Sequence, residues 1–192
     1  MNFSAFFTYL FIIAFTPGPN NIMAMDVARK KGLKKAMNFN GGIFFGFFIV
    51  AFLSALFTSK LFKWIPVIEP YFRMVGAIYI LYLAWTIQFK RKGNETESKN
   101  SNSFLSGFLL QFINIKIIFA CLTAISTFIL PNYHSNEALI LFTTIIAIIG
   151  CLGTLLWAIC GSVFKEFFTK YEKLSNTIMC LLLIYCSISL FV

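Results

Sequence analysis

Six apolar stretches, each about as long as a membrane-spanning helix, constrain this chain more than any other feature. Crossing the hydrocarbon core of a bilayer takes roughly 20 apolar residues in a helix. In lipid, each backbone N–H and C=O group needs a partner within the protein, and a helix supplies those partners within the segment itself. The stretches predict six transmembrane helices, at about Phe3–Met25, Phe39–Thr58, Tyr71–Phe89, Phe104–Leu130, Ala138–Gly161 and Leu174–Val192.

Composition and charge support an all-α membrane protein. The chain is 59% hydrophobic and 12% charged, whereas about a quarter of the residues in soluble domains are charged. The stretches are too long for the strands of a membrane barrel. Although the net charge is +9, the basic residues lie between the apolar stretches, where they meet lipid head groups. We therefore predict a lipid bilayer as partner and no nucleic acid.

The distribution of Lys and Arg predicts the orientation. Twelve basic residues fall in the connections after the first, third and fifth stretches, whereas the opposite side has only Lys60, Lys63 and Arg73. Cytoplasmic loops carry the excess of positive charge, so both termini are predicted on the outer, periplasmic side. The twelve residues are Arg29, Lys30, Lys31, Lys34, Lys35, Lys90, Arg91, Lys92, Lys99, Lys165, Lys170 and Lys173.

A polar segment divides the predicted helices into two sets of three. Residues 90–103 are rich in Gly, Asn, Glu and Ser, and we interpret them as a cytoplasmic linker between halves 1–89 and 104–192 of one transporter domain, 1–192. Because each half has an odd number of helices, the second enters the membrane in the opposite sense. The sequence thus predicts two inverted three-helix halves, as in many secondary transporters.

The first stretch is interrupted by Thr-Pro-Gly-Pro-Asn-Asn, from Thr16 to Asn21. Pro17 and Pro19 have no backbone N–H, so the carbonyls of residues 13 and 15 lose their helical partners, and Gly18 leaves the helical conformation at low cost. Such backbone is tolerated where it lines a cavity. A second half-helix that starts at Pro19 would attract a carboxylate to its N-terminus. The alternative is a proline kink held by neighbouring helices.

The fourth stretch carries Gln111, Asn114 and Lys116. A lysine at the centre of a spanning helix costs roughly 2.5–3.5 kcal/mol on insertion and usually marks a pathway. Asn114 and Lys116 diverge by about 200° on a regular helix, so either the helix is irregular or the two face different partners. The alternative is a structural lysine that is either neutral or paired with a carbonyl. The predicted substrate-binding and translocation residues are Pro17, Gly18, Pro19, Asn20, Asn21, Gln111, Asn114 and Lys116.

The remaining polar, cysteine and glycine residues suggest no enzyme chemistry. Asp26 and Glu69 are predicted to be solvated at the membrane interfaces. The five cysteines contain no CxxC pair and no metal-ligand spacing, so we predict reduced packing residues, no metal, no cofactor and no catalytic residue. Small-residue faces at Gly42 and Gly46, and at Gly150 and Gly153, suit close helix packing within the chain or in a homodimer.

With these motifs the chain resembles the LysE/RhtB family of bacterial amino-acid exporters over essentially its whole length. The resemblance rests on residues 16–21, on Gly76-Ala77-Ile78-Tyr79 with residues 81–85 (LYLAW), and on residues 111–116 (QFINIK). The QFINIK form and residues 126–131 (STFILP) look most like the cysteine and O-acetylserine exporter branch. Much of the family has proline where this chain has Ile115, which leaves open whether the fourth helix is broken.

The resemblance implies a carrier of the bacterial inner membrane that expels amino acids by exchange with protons. We expect a secondary exporter of small neutral amino acids, cysteine or O-acetylserine foremost, that works by alternating access. Export of another amino acid, of the homoserine, threonine, lysine or arginine type, is the first alternative. A membrane thiol-redox conductor would need an exposable cysteine pair, and a passive channel would need a charged ring or carbonyl filter.

Overall fold

The computed structural model describes residues 1–89 and 103–191, with side chains for all of these except residues 57–69 and Phe72. All regular secondary structure in this part of the chain is helical. A π-helical segment (Ala124–Ile129) directly follows α5. The α-helices in chain order are α1 (Phe3–Phe15), α2 (Pro19–Lys31), α3 (Leu33–Phe89), α4 (Ser103–Ile113), α5 (Ile115–Thr123), α6 (Asn136–Val163), α7 (Lys165–Lys170) and α8 (Glu172–Ile188).

The surface and the longest helices are those of a membrane protein. Among the described residues, the first segment of α3 (Leu33–Leu56) and α6 are long and apolar enough to span a bilayer. A third span is counted if α4 and Ile115–Ile129, which meet at a bend of 63°, are taken together. Large apolar side chains such as Ile12, Ile78 and Leu141 are exposed, as suits a surface that faces lipid.

The first predicted helix is broken, as its prolines indicate. Helix α1 ends at Phe15, and α2 begins at Pro19, so this proline lies in the first turn of α2. The predicted end at Met25 is wrong, because α2 continues to Lys31 and Gly32 follows with φ 83°. Basic residues at 29–31, predicted in a loop, therefore form the last turn of a helix. Positive charge is favourable there because the helix dipole is negative at that end, and glycine readily takes a positive φ.

The second and third predicted helices both fall within α3. The loop predicted between them is wrong, since the helical backbone runs from Leu33 to Phe89, and no glycine interrupts it between Gly46 and Gly76. Gly42 nevertheless lies against Phe104, and Gly76 against Ile115. If α3 were one straight helix, Gly42 and Gly76 would be about 51 Å apart. Their partners, Phe104 and Ile115, would be only about 17 Å apart along a straight helix. Hence Leu33–Leu56 and the last segment, Arg73–Phe89, lie in one bundle rather than along one straight axis.

The fourth predicted helix is also broken, at Asn114. This residue has extended backbone (φ −80°, ψ 92°) between α4 and α5. The fifth helix, α6, is two residues longer at each end than predicted, and the sixth is preceded by the short α7. The end predicted for the sixth helix at Val192 is wrong, because α8 ends at Ile188 and residues 189–191 form turns. The linker predicted at 90–103 lies outside the described residues except for Ser103, which is the first residue of α4.

Glycines set how closely and in which direction the helices pack. A Cβ at Gly42 would lie 1.9 Å from the Phe104 carbonyl oxygen, and one at Gly46 would lie 2.7 Å from that of Phe108. The first segment of α3 and α4 therefore run in the same direction. Helix α6 also packs closely against α1 and the first segment of α3, and α8 contacts the last segment of α3. The contacts are those of Gly150 with Phe47 and Gly153 with Ala14, and of the Ser187 hydroxyl with the Ala77 carbonyl (3.4 Å).

These contacts confirm packing within one chain as a role of the two small-residue faces. The order of contacts along the chain also shows in which relative directions other pairs of helices run. Helix α6 runs with α1 and α2, because Gly153 meets Ala14 and Gly161 meets Met25. The last segment of α3 runs against α8, because Arg73 bonds Leu190 whereas Ala77 bonds Ser187. A homodimer contact stays a prediction.

Candidate functional site

The breaks in the two predicted helices lie against each other. The Asn20 amide at the start of α2 donates to Gln111 Oε1 (2.8 Å), and Gln111 Nε2 lies 3.3 Å from Asn20 Oδ1. Asn114 Nδ2 donates to the same Oδ1 (2.8 Å). All three side chains are buried. Residues 91 and 94 positions apart in sequence thus form one amide network that joins α2 to the break between α4 and α5.

Asn21 replaces backbone partners that the proline break removes. Its side-chain amide donates to the carbonyls of Ala14 (2.9 Å) and Thr16 (3.0 Å). The sequence predicts stranded carbonyls at residues 13 and 15. The replacement bonds that the structure describes go instead to Ala14 and Thr16, and to Pro17, whose carbonyl accepts from the Cys186 thiol at 3.8 Å. Asn21 therefore stabilises the broken backbone by supplying donors that the helix no longer provides.

Lys116 crosses from α5 to the break in the first helix. Its ammonium donates to the Thr16 carbonyl oxygen (3.0 Å), the carbonyl pairing expected for a structural lysine. A Cβ at Gly18 would lie 3.2 Å from the same nitrogen. With φ −164°, Gly18 has extended backbone that any residue adopts. The glycine therefore matters through the space it leaves for Lys116 rather than through its flexibility.

One buried acceptor in the network lacks a hydrogen-bond partner. Asn114 Oδ1 has none among the described residues, and the residue is only 3% exposed. An unpaired buried carbonyl is costly unless a bound group satisfies it. Asn114 Oδ1 therefore marks where a donor, such as an ammonium group, would bind.

Two cavities adjoin this network. A small one of about 30 Å³ lies between α1, α2, α5 and α6, and Gly18, Asn20, Asn21 and Thr154 are among its walls. A larger one of about 340 Å³ is lined by Pro17, Pro19 and residues of the last segment of α3, α5 and α8. Asn114 and Lys116 line both. The two cavities thus share the fourth-helix residues that the sequence analysis identified.

All eight predicted site residues lie at the two breaks. Gly18, Asn20, Asn21, Asn114 and Lys116 line the small cavity, and Pro17 and Pro19 line the large one. Gln111 is not among the described residues that line either cavity. Its side chain instead accepts from Asn20 and donates to the Gly107 carbonyl.

Sequence reasoning missed other polar residues near these cavities. Thr154 donates to Asn40 Oδ1 at 2.6 Å and lines the small cavity. Arg73 lines the large one, although from the sequence it was expected only as a basic residue of the outer side. Asn40 and Thr154 could have been identified from the sequence, because each is a polar residue within an apolar stretch.

The prediction that Asp26 is solvated is wrong. The residue is 6% exposed, and its Oδ1 accepts from Arg29 Nη2 (2.7 Å) and Nε (2.9 Å). Lys30 Nζ lies 3.1 Å from Oδ2. Arg29, itself buried, also donates to Asn176 of α8. Because α2 continues past Met25, these partners lie three and four residues on along the same helix, and the group ties α2 to α8. The side chain of Glu69 is outside the described part.

The five cysteines are free, as predicted. Cys121 and Cys186 are buried, and Cys160 is exposed. Cys186 lines the large cavity, and no other cysteine is among that cavity's described walls.

Comparison with known proteins adds to this geometry. The family model described as LysE type translocator matches residues 11–192. A cysteine/O-acetylserine efflux protein of Salmonella typhimurium (strain LT2) is 38% identical over 191 residues, which are 100% of this chain and 98% of that protein. The protein of the same name from Escherichia coli (strain K12) is 36% identical over 188 residues, 98% of this chain and 96% of that protein. No solved structure matches the chain.

Proposed function

The chain belongs to the LysE type translocator family, and from this premise we propose that it exports small neutral amino acids from the bacterial cytoplasm. Cysteine and O-acetylserine are the foremost substrates, since the relatives of 36–38% identity are named as efflux proteins for both. The site is the junction of the two broken helices. The observation that carries the proposal is the buried Asn114 Oδ1, which has no partner in the described part of the chain, on a residue that lines the same two cavities as Lys116.

This junction suits an amino-acid zwitterion. The substrate ammonium donates to Asn114 Oδ1, an acceptor that otherwise has no partner among the described residues. The substrate carboxylate binds the Lys116 ammonium and the N-terminal ends of α2 and α5, which start at Pro19 and Ile115. Broken helices whose N-termini bind a substrate carboxylate recur in secondary transporters.

Alternating access follows from the relation of the two halves. We propose six spans with both termini periplasmic, in two inverted halves that each begin with a broken helix. The packing directions support this arrangement: the second and fourth spans run together, the first and fifth run together, and the third runs against the sixth. In the proposed orientation, the large cavity, which Leu190 lines, lies toward the outer side. The group of Asp26, Arg29 and Asn176 lies toward the cytoplasmic side.

Transport into everted membrane vesicles tests the proposal. With a proton gradient imposed, we expect uptake of radiolabelled cysteine and O-acetylserine above that of lysine and threonine. Uptake of another amino acid alone would reject the proposed substrates, and uptake of none would reject the function. Proton antiport is tested by collapsing the gradient, which should abolish accumulation.

The role of Lys116 is tested in the same vesicles. Lys116→Ala should abolish uptake, because the substrate carboxylate loses the ammonium group that lines both cavities. The exposed Lys173→Ala removes the same charge away from both cavities and should transport normally. Membrane insertion is compared by immunoblot of washed membranes. Normal uptake by an inserted Lys116→Ala would exclude the role given to this ammonium.

A further inference from the structure

A third cavity lies between α2, α7 and α8. It has a volume of about 130 Å³, and it shares no described wall residue with the two cavities at the broken helices. Helix α2 belongs to the first predicted half of the chain, and α7 and α8 belong to the second, so a ligand in this cavity contacts both halves. Its described walls are Arg29, Lys30, Lys165, Phe168, Thr169 and Glu172.

The charges at this cavity leave an excess of one positive charge. Three cations line it, and Glu172 is the one carboxylate among its described walls. Asp26, which is not a described wall residue, pairs with Arg29 and Lys30. Lys165 makes no ion pair with a described residue. Three positive charges against two negative ones favour a ligand group that carries a single negative charge.

The volume and the polar side chains suit a phosphate diester with a hydroxyl group nearby. A cavity of about 130 Å³ has room for roughly ten waters, which is enough for a phosphate and the atoms attached to it. A phosphate diester carries one negative charge and accepts hydrogen bonds from ammonium groups such as those of Lys30 and Lys165. The Glu172 carboxylate only accepts hydrogen bonds, so it pairs with a hydroxyl of the ligand rather than with the phosphate.

Exposed aromatic residues beside the cavity indicate that this phosphate belongs to a lipid. Phe164, Phe167, Phe168 and Tyr171 have the spacing of one helix face, and the rings of Phe167 and Tyr171 are 5.0 Å apart. Phe168 lines the cavity, while the other three are exposed. Aromatic residues next to basic ones are typical of segments at a membrane surface. Basic pockets between helices on the cytoplasmic side, where the sequence places this region, bind the headgroups of anionic lipids.

We propose that this cavity binds the headgroup of an anionic phospholipid, with the phosphate against Lys30 and Lys165 and a headgroup hydroxyl against Glu172. The exposed aromatic residues contact the acyl chains. The lipid then joins α2 to α7 and α8, next to the hydrogen bond from Arg29 to Asn176. Phosphatidylglycerol has this chemistry. Phosphatidylethanolamine carries a compensating positive charge, and phosphatidylcholine carries one as well and has no hydroxyl donor.

Native mass spectrometry of the full-length protein tests the proposal. The protein in detergent is titrated separately with phosphatidylglycerol, phosphatidylethanolamine and phosphatidylcholine of the same acyl chains, and the lipids bound per chain are counted. We expect one phosphatidylglycerol to bind more tightly than either of the other lipids. Lys165→Gln should raise its dissociation constant about fivefold, the usual contribution of one basic residue near anionic lipid. Thr169→Trp fills the cavity without changing its charge and should abolish the tight binding.

Lys34→Gln is the matched control, because it removes one exposed positive charge from the same predicted side of the membrane but not from the described cavity walls. Its affinity for phosphatidylglycerol should be unchanged. Equal losses in Lys34→Gln and Lys165→Gln would show a general attraction to surface charge and overturn the site. Tight binding by a Thr169→Trp protein with a wild-type unfolding temperature would overturn it as well.

The choice of lipid gives a further test. Equal binding of the three lipids would overturn the proposed recognition of a negative charge. Preference for phosphatidylethanolamine would place an ammonium group against Glu172 and overturn the anionic assignment. None of these measurements requires amino-acid transport, so they stand or fall apart from the proposed export function.

Discussion

Replacing Gly46 with alanine tests whether helix packing positions the substrate site. Gly46 lies on the first segment of α3, where a Cβ would be 2.7 Å from Gln111 Cγ and 2.7 Å from the Phe108 carbonyl oxygen. Gln111 is the residue that holds Asn20. One methyl group on an unbroken helix would therefore press directly on a member of the amide network.

The expected effect follows from these distances. Ordinary contact begins near 3.4 Å, so Gln111 and its backbone must move by about 0.7 Å. That shift can lengthen the 2.8 Å bond to Asn20 to at most about 3.5 Å, where a hydrogen bond is weak. Overpacking typically costs about 1–3 kcal/mol, and weakening a buried amide bond adds about 1 kcal/mol. Better helix propensity returns about 0.5–1 kcal/mol. The net loss of unfolding free energy is about 1–3 kcal/mol.

Gly41→Ala is the matched control. A Cβ at Gly41 meets its nearest atom, on the Phe104 ring, at an ordinary 3.6 Å. Both variants gain the same helix propensity, so their difference reports the packing against Gln111. With that gain cancelled, the difference is about 2–4 kcal/mol. In detergent, we therefore expect Gly46→Ala to unfold about 4–16 °C below Gly41→Ala, on the scale of about 2–4 °C per kcal/mol for a chain of this size.

Transport supplies the second measurement. Uptake of O-acetylserine should have a higher half-saturating concentration in Gly46→Ala, because Asn20 loses its fixed partner, and an unchanged one in Gly41→Ala. Equal unfolding temperatures and equal uptake for the two variants would refute the link between this glycine and the site. A loss of stability without any change in uptake would refute the part of the argument that concerns Gln111.

Two further predictions concern groups outside the amide network. Asp26→Asn should lower the unfolding free energy by about 3–5 kcal/mol, because Arg29 stays buried without its carboxylate. The double variant Asp26→Asn/Arg29→Gln should recover part of this loss in detergent melts. A double variant no more stable than Asp26→Asn would contradict the pairing. A cysteine-free variant should keep its O-acetylserine uptake, since the proposed site uses amide and ammonium groups, whereas loss of uptake in a correctly inserted variant would favour thiol chemistry.

Local chemistry made one of the two breaks predictable from sequence. Pro17 and Pro19 forbid two helical hydrogen bonds wherever the chain goes, so the first break follows from the residues themselves. At Asn114 no proline or glycine interrupts the pattern. The second break coincides with the bond from Asn114 to Asn20, 94 positions away. Such a contact is visible only in three dimensions.

The error at Asp26 has a similar origin. Its exposure was predicted from its distance to the end of an apolar stretch, but a helix can continue into charged sequence when its charges pair. Arg29 and Lys30 pair with Asp26 along α2, and Asn176 of α8 takes up Arg29. Hydropathy predicts which residues face lipid. In this chain it does not predict that the charged residues beyond an apolar stretch are buried.

The shared wall formed by Asn114 and Lys116 bears on energy conservation in the cell. Among the described residues, these two side chains alone line both cavities, so a solute against them occupies the wall that the cavities share. The inner of the two spaces, at about 30 Å³, has room for about two waters and is too narrow for a wide aqueous column. An open pore of that kind would dissipate the proton-motive force, and a constricted carrier can let a solute leave while the cell keeps its membrane charged.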